Sequence, residues 1–358
     1  MYCCGHSIAN RQHESGSLFF TDKLETEFTS LQNLSQASEW TRQQFNVSAQ
    51  AGRGTYGKTF LPENVFLLPA SQTAPDELHG QRSLALRVGS QITPSNAISA
   101  AEVDTRRIDM LWGSYRATMK LSSVGGTCAA FFWYFNDTQE IDMEFLSREF
   151  DEKRGLFPVN MVIHSSLSAK AGFDASKTGM FKTVNLKFDP TKGFHEYRFD
   201  YLPGRVYFYA DGEQLVEMKG DNIPSSGGHI VLQHWSNGNQ WWSGGPPSSD
   251  AVIFVKSVKA YFNSSNVQTR EDWHSRCSNS NLGAERTVCA VSERTPATTS
   301  RADHPSHDNM SVRNHERGEE NGSHRAHLDK FLRATLVLMV VVYALLMMEP
   351  VLELGLDG

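Results

Sequence analysis

Between Thr21 and Phe262 the chain is cut into many short apolar or alternating runs, among them LALRV, YRATM, AAFFWYF, EIDMEFL, VNMVIH, YRFDYL, VYFYA, HIVLQHW and AVIFV. Clusters of Gly, Pro, Asn and Asp separate them, and no long stretch of helical period interrupts the series. Strand-length runs bounded by turn residues predict an all-β sandwich or jelly roll. Ala210-Asp211-Gly212-Glu213, between VYFY and QLVEM, has the chemistry of a two-residue hairpin turn. Of the 358 residues, 39% are hydrophobic, enough for a sizeable core, and the formal net charge of -6 offers no footprint for nucleic acid.

One run departs from ordinary strand chemistry. In Glu140-Ile141-Asp142-Met143-Glu144-Phe145 the alternation is complete, so a strand would place three carboxylates on one face and three apolar side chains on the other. Same-face neighbours lie ~7 Å apart, and three like charges at that spacing weaken a sheet that only supports itself. Retaining glycosidases need two carboxyl groups ~5.5 Å apart, one ionised and one protonated. Glu140 and Glu144 would lie ~13 Å apart at Cα on a flat strand, so the chemistry requires a concave sheet on which their side chains converge, with Ile141 and Met143 packed beneath. Asp142 between them raises the energy of full ionisation and can share a proton with a neighbour.

The segment GTCAAFFWYFNDTQEIDMEFLS resembles the strand pair of glycoside hydrolase family 16, in the branch with the spacing Glu-x-Asp-x-Glu that includes licheninases and xyloglucan transglycosylases. WGSYRATMK, FHEYRFDYLPGRVYFYADGEQL, HIVLQHWSNGN and FVKSVKAYF follow the family's order, and the resemblance runs from about Asp22 to Phe262. It implies a concanavalin A-like β-jelly roll with a curved substrate cleft, and it makes Glu140 the nucleophile, Asp142 the assisting carboxylate and Glu144 the acid/base. It also implies that Trp133, Tyr134, Asn160, Gln233 and Trp235 line the sugar cleft, with Trp241 and Trp242 on a loop at one end. In the strand resembling WGSYRATMK, Arg116 and Thr118 stand where many members carry Glu and Arg. The family uses no catalytic metal, and neither a cofactor nor a metal ligand set is expected. The expected activity is endo-hydrolysis of β-1,3- or mixed β-1,3/1,4-glucan by a monomer; a wall-glucan transglycosylase and a lectin-like glucan-binding module are the alternatives.

The ends divide into further regions: 1–20 without a signal-peptide pattern, a catalytic domain over 21–265, a polar linker over 266–330, an apolar segment over 331–348 and a tail over 349–358. Cys277 and Cys289, flanking a polar loop in the linker, are the expected disulfide pair, and Cys128 the expected buried thiol. Sequons at Asn33, Asn46, Asn136, Asn263, Asn309 and Asn321 suit the secretory pathway. Residues 331–348 reach nearly the ~20 residues of a spanning helix. They read either as a transmembrane anchor or, after Asn321-Gly322-Ser323, as a glycosylphosphatidylinositol signal. Either would hold the domain at the cell surface or wall. Arg325, Lys330 and Arg333 precede the segment and no Lys or Arg follows it, a charge order that conflicts with an external domain.

Overall fold

A computed structural model describes residues 3–10, 16–68, 82–277 and 287–291. The region is a jelly-roll sandwich of two large, mainly antiparallel sheets with a small third sheet. The site-bearing sheet has the order Phe181–Asn185, Pro158–His164, Gln139–Leu146, Cys128–Asn136, His229–Trp235, Ala97–Thr105, Gly57–Phe60 and Phe45–Val47; Trp40–Arg42 pairs with Ala97–Thr105 off this path. The back sheet runs Glu213–Lys219, Arg205–Ala210, His195–Leu202, Met110–Lys120, Ala251–Ser264, Ser83–Val88 and Val65–Leu68, with Asp22–Glu27 paired to Ala251–Ser264. The hairpin at Ala210-Asp211-Gly212-Glu213 forms as the sequence predicts, with positive φ at both Asp211 (48°) and Gly212 (77°).

Alternation decides which face each strand buries. Ile141, Met143 and Phe145 point inward beside Phe131, Trp133, Met161, Ile163, Ile230 and Leu232, against Tyr115, Tyr197, Phe199, Phe208 and Phe262 of the back sheet. Ile141 and Met143 are fully buried, so the floor under the carboxylate strand is the sandwich core itself.

The disulfides differ from the sequence expectation. Cys277 and Cys289 do not bond to each other: Cys3 pairs with Cys289 and Cys4 with Cys277, each at a Cα separation of 5.6 Å. The cause is strand pairing, because Cys3–Ala9 runs parallel to Thr287–Ala290 and antiparallel to Ser17–Phe20 in the small sheet. The helix Val267–Cys277 then brings Cys277 to Cys4, and the Trp273 indole N–H donates to the Cys4 carbonyl at 2.6 Å. Residues of the 1–20 segment and of the 266–330 region thus meet in the small sheet and its two disulfides. Ile8, Leu18 and Phe20 of the small sheet pack on Leu202, Tyr207, Tyr209 and Tyr261 of the back sheet.

Of the sequons, Asn33, Asn46 and Asn136 are exposed, whereas the Asn263 side chain accepts from the Thr21 backbone N–H at 3.2 Å. Asn309, Asn321 and the apolar segment 331–348 lie outside the described residues. Among the described residues no helix is long and apolar enough to cross a membrane.

Candidate active site

Cross-strand register arranges the open face of the site sheet into rows. Glu144 stands opposite Ala130 and Asn160, Ala130 is followed by Gln233 and then Glu102, and Asn160 is followed by Thr183. The next row is Phe181, Val162, Asp142, Phe132, Val231 and Asp104; the third is His164, Glu140, Tyr134 and His229. The carboxylates therefore form a file along one strand, with apolar Val162 and Phe132 flanking Asp142 within its row.

Their side chains converge. Oxygens of Glu140 and Asp142 and a ring nitrogen of His164 all lie within 4.8 Å of one another, closer than the ~7 Å between same-face Cα atoms on a flat strand. Asp142 hydrogen-bonds to Glu140, and Asp142 Oδ2 is buried with no hydrogen-bond partner. Burial pushes the Glu140 carboxyl up to about 7, and the hydrogen bond from Asp142 acts in the opposite direction. Burial, then the Glu140 and Glu144 charges, push Asp142 well above the usual carboxylate range. Asp142 thus keeps the proton and donates it toward Glu140, leaving Glu140 the anion of the pair.

Glu144 has a different environment. Burial raises it as well, but the buried Cys128 thiol lies 3.4 Å from Glu144 Oε1 and the Trp242 indole N–H donates to the same carboxylate. Lys58 and Arg53 add positive charge nearby. Lys58 Nζ sits 4.2 Å over the Trp235 ring, with its own pKa lowered by burial. Burial and the Arg53 charge lower His164 to about 4, so its imidazole is neutral. Glu140, Asp142 and neutral His164 also have the chemistry of a divalent-cation ligand set.

Several expected cleft residues lie on this face. Tyr134 neighbours Glu140 and its hydroxyl donates to Asp137 Oδ1 at 2.7 Å. Asn160 is buried and accepts from Thr183 Oγ1 at 2.6 Å; Gln233 Nε2 donates to Glu102. Trp235 is beside Cys128 at the Glu144 end. Trp241 is 58% exposed on the rim, and its neighbour Trp242 is the one that reaches Glu144.

One expectation fails. Trp133 does not face the cleft: it pairs with Ile141, so alternation turns it inward, where it meets the Tyr201 ring at a tilt and its indole N–H donates to the Met110 carbonyl at 2.8 Å. Arg116 and Thr118, the two departures from the family pattern, belong to Met110–Lys120 in the back sheet rather than to the site sheet. The open face carries two further carboxylates, Glu102 beyond Gln233 and Asp104 beyond Val231. Burial raises them to about 7 and about 8, and Glu102 pushes Asp104 further up. Sequence reasoning missed Lys58, Glu102, Asp104 and His164; counting in twos from Asn160 would have found His164.

A jelly roll whose open face carries three carboxylates along one strand beside aromatic and amide side chains defines a carbohydrate-active protein of the two-carboxylate class. A profile described as "Glycosyl hydrolases family 16" matches residues 72–249, and the chain belongs to that family. The beta-glucanase of Paenibacillus macerans is 32% identical over 156 residues, covering 42% of this chain and 59% of that protein. The beta-glucanase of Bacillus licheniformis is 28% identical over 158 residues, covering 41% and 58%. The chain thus spans less than two thirds of these relatives' length. Among solved structures, the endo-beta-1,3-glucanase from Pyrococcus furiosus superposes with a TM-score of 0.52 at 17% identity, over 69% of this chain and 96% of that one. That likeness is one of fold.

Proposed function

We propose that this chain is an endo-acting β-glucan hydrolase that cleaves β-1,3- or mixed β-1,3/1,4-glucosidic bonds with retention. The carrying observation is the file Glu140-Asp142-Glu144 on the open face, with Asp142 hydrogen-bonded to Glu140. The beta-glucanase relatives support the substrate class. Glu140, the anion, attacks the anomeric carbon while Glu144 gives its proton to the departing glycosidic oxygen. A covalent glycosyl-enzyme results. Glu144, now a carboxylate, takes a proton from water as the water oxygen attacks the same carbon, and Glu140 leaves as a carboxylate again. Asp142 stays protonated throughout and steadies Glu140 in both states. Tyr134, Asn160, Gln233 and Trp235 hold the glucan, acting as a monomeric site without a cofactor.

Transglycosylation is the second reading, favoured by one feature: Trp242 against Glu144 and exposed Trp241 beside it offer an acceptor sugar a surface where water would otherwise enter. The two disulfides support export to an oxidising compartment. Residues 331–348 would then hold the domain at the cell surface. The deciding experiment incubates the protein with laminarin, mixed-linkage glucan and xyloglucan, with and without a fluorescent acceptor oligosaccharide. Shortened chains alone are expected. Labelled lengthened chains would favour the transglycosylase, and binding without any product would overturn both enzyme readings.

A further inference from the structure

Four described non-glycine residues hold positive φ: Arg53 (54°), Asn96 (58°), Phe173 (63°) and Asp211 (48°). Asn and Asp visit that region readily because their short side chains bond the local backbone, whereas Arg and Phe are strained there. The two strained residues touch each other. The Arg53 guanidinium lies 5.4 Å from the Phe173 ring centroid, and Arg53 Nη1 donates to the Gly172 carbonyl at 3.2 Å. Strain retained at two residues that meet points to a role for the meeting.

They come from opposite ends of the site strands. The turn holding Arg53 is fixed beside the end of His229–Trp235: Asn237 Nδ2 donates to the Gly52 carbonyl at 2.7 Å, Asn239 Nδ2 to the Arg53 carbonyl at 2.9 Å, and the Tyr56 N–H to the Asn237 carbonyl at 2.8 Å. Phe173 follows Pro158–His164 at the Glu140 end, and its ring lies 6.4 Å from that of His164. Contacts therefore run in a continuous chain from one end of the carboxylate file to the other: from Glu140 and Asp142 to His164, Phe173, Arg53 and Asn239, then through the Trp242 N–H on the Asn239 carbonyl to Trp242 and Glu144. Arg53 and Phe173 thus link the His164 end of the carboxylate file to its Trp242 end.

We propose that Arg53 and Phe173 form a clasp over the carboxylate file that sets specificity. It admits an unsubstituted β-glucan backbone and rejects one bearing sugar branches on the units under the clasp. The inference rests on the glucan reading above. A flat ring suits pyranose C–H faces and a guanidinium suits hydroxyls, so a bare backbone gains contacts from the clasp. A branch meets the same two side chains as obstacles.

The test measures binding and turnover of an unbranched mixed-linkage gluco-oligosaccharide and a xylose-branched gluco-oligosaccharide by the full chain and by Phe173→Ala, Phe173→Gly and Arg53→Gly. Glycine suits the left-handed backbone at both positions, which protects the fold of those variants. The ratio of branched to unbranched affinity is expected to rise about 10-fold in each variant, the scale of a steric discrimination in a pocket. An unchanged ratio overturns the clasp, and turnover that persists alongside it leaves the hydrolase standing. Selectivity that shifts without any turnover upholds the clasp and refutes the hydrolase; no binding of either oligosaccharide refutes both.

Discussion

Buried acids occur on both sheets, and their surroundings differ. On the back sheet Asp200 is wholly buried and gripped by Arg198 through two parallel bonds of 2.7 and 2.5 Å. Asn10, just past the strand Cys3–Ala9, adds a bond of 3.3 Å, and the guanidinium lies 4.5 Å from the Tyr209 ring. On the site sheet, Asp142 is almost as buried but faces two glutamates, and one of its oxygens has no partner. Like charges at that spacing are held apart in protonation state rather than neutralised by a cation. The first arrangement stabilises the fold; the second keeps reactive groups at a cost to stability, as a site for chemistry does.

The largest effect expected from breaking this contrast is on rate. Glu140→Gln should lower turnover of mixed-linkage glucan by at least about 10⁴-fold, the scale seen when a nucleophile is removed. Its thermal midpoint should equal or exceed that of the parent, because the amide removes a like charge from Asp142 and Glu144. A variant that loses activity by unfolding would show the carboxylate to be structural, and circular dichroism with thermal melts separates the two.

The back sheet should behave in the opposite way. Asp200→Ala removes the carboxylate that Arg198 grips through two bonds in the buried back sheet, a loss of about 3–5 kcal/mol, while the folded fraction should keep turnover near that of the parent. Replacing both partners by apolar residues of similar volume should recover much of that stability. No apolar replacement of Glu140 should recover rate. Denaturant unfolding of the single and double variants, with specific activity measured on folded protein, checks the pair.

How much was legible in the sequence follows the same division. Period-two alternation placed Glu140, Asp142 and Glu144 on one face and Ile141 and Met143 in the core, because sheet sterics enforce it at every residue. Applied to Trp133, the same rule would have turned it inward; its aromatic character outweighed its position. Asp104 and Lys58 reach the site through strands far away in sequence, and no local pattern announces which strands become neighbours. The disulfides failed for a related reason: Cys3 and Cys4 find their partners 286 and 273 residues away through pairing of the chain's beginning with the strand Thr287–Ala290 and the helix before it. Spacing along the chain does not encode such pairings.

The smallest effect, and the one that sharpens the comparison most, is the dependence of stability on pH. Glu140 and Glu102 are raised to about 7 and Asp104 to about 8, all chiefly by burial. In the unfolded chain these carboxyls ionise near ~4. Between pH 6.5 and 8 the native state therefore holds more protons than the unfolded one, so stability falls as pH rises through the native values. His164 and His234, lowered to about 4, act at lower pH: their contribution is present above ~6.5 and is lost on acidification toward 4. The midpoint should thus drop on the order of 5 °C from pH 6.5 to 8, given about 2–4 °C per kcal/mol for a domain of this size. Glu140→Gln removes one of the titrating groups and should flatten that slope. A slope unchanged by Glu140→Gln would mean that the site carboxylates ionise in the folded state at ordinary pH, and the division of roles between Asp142 and Glu140 would lose its physical basis.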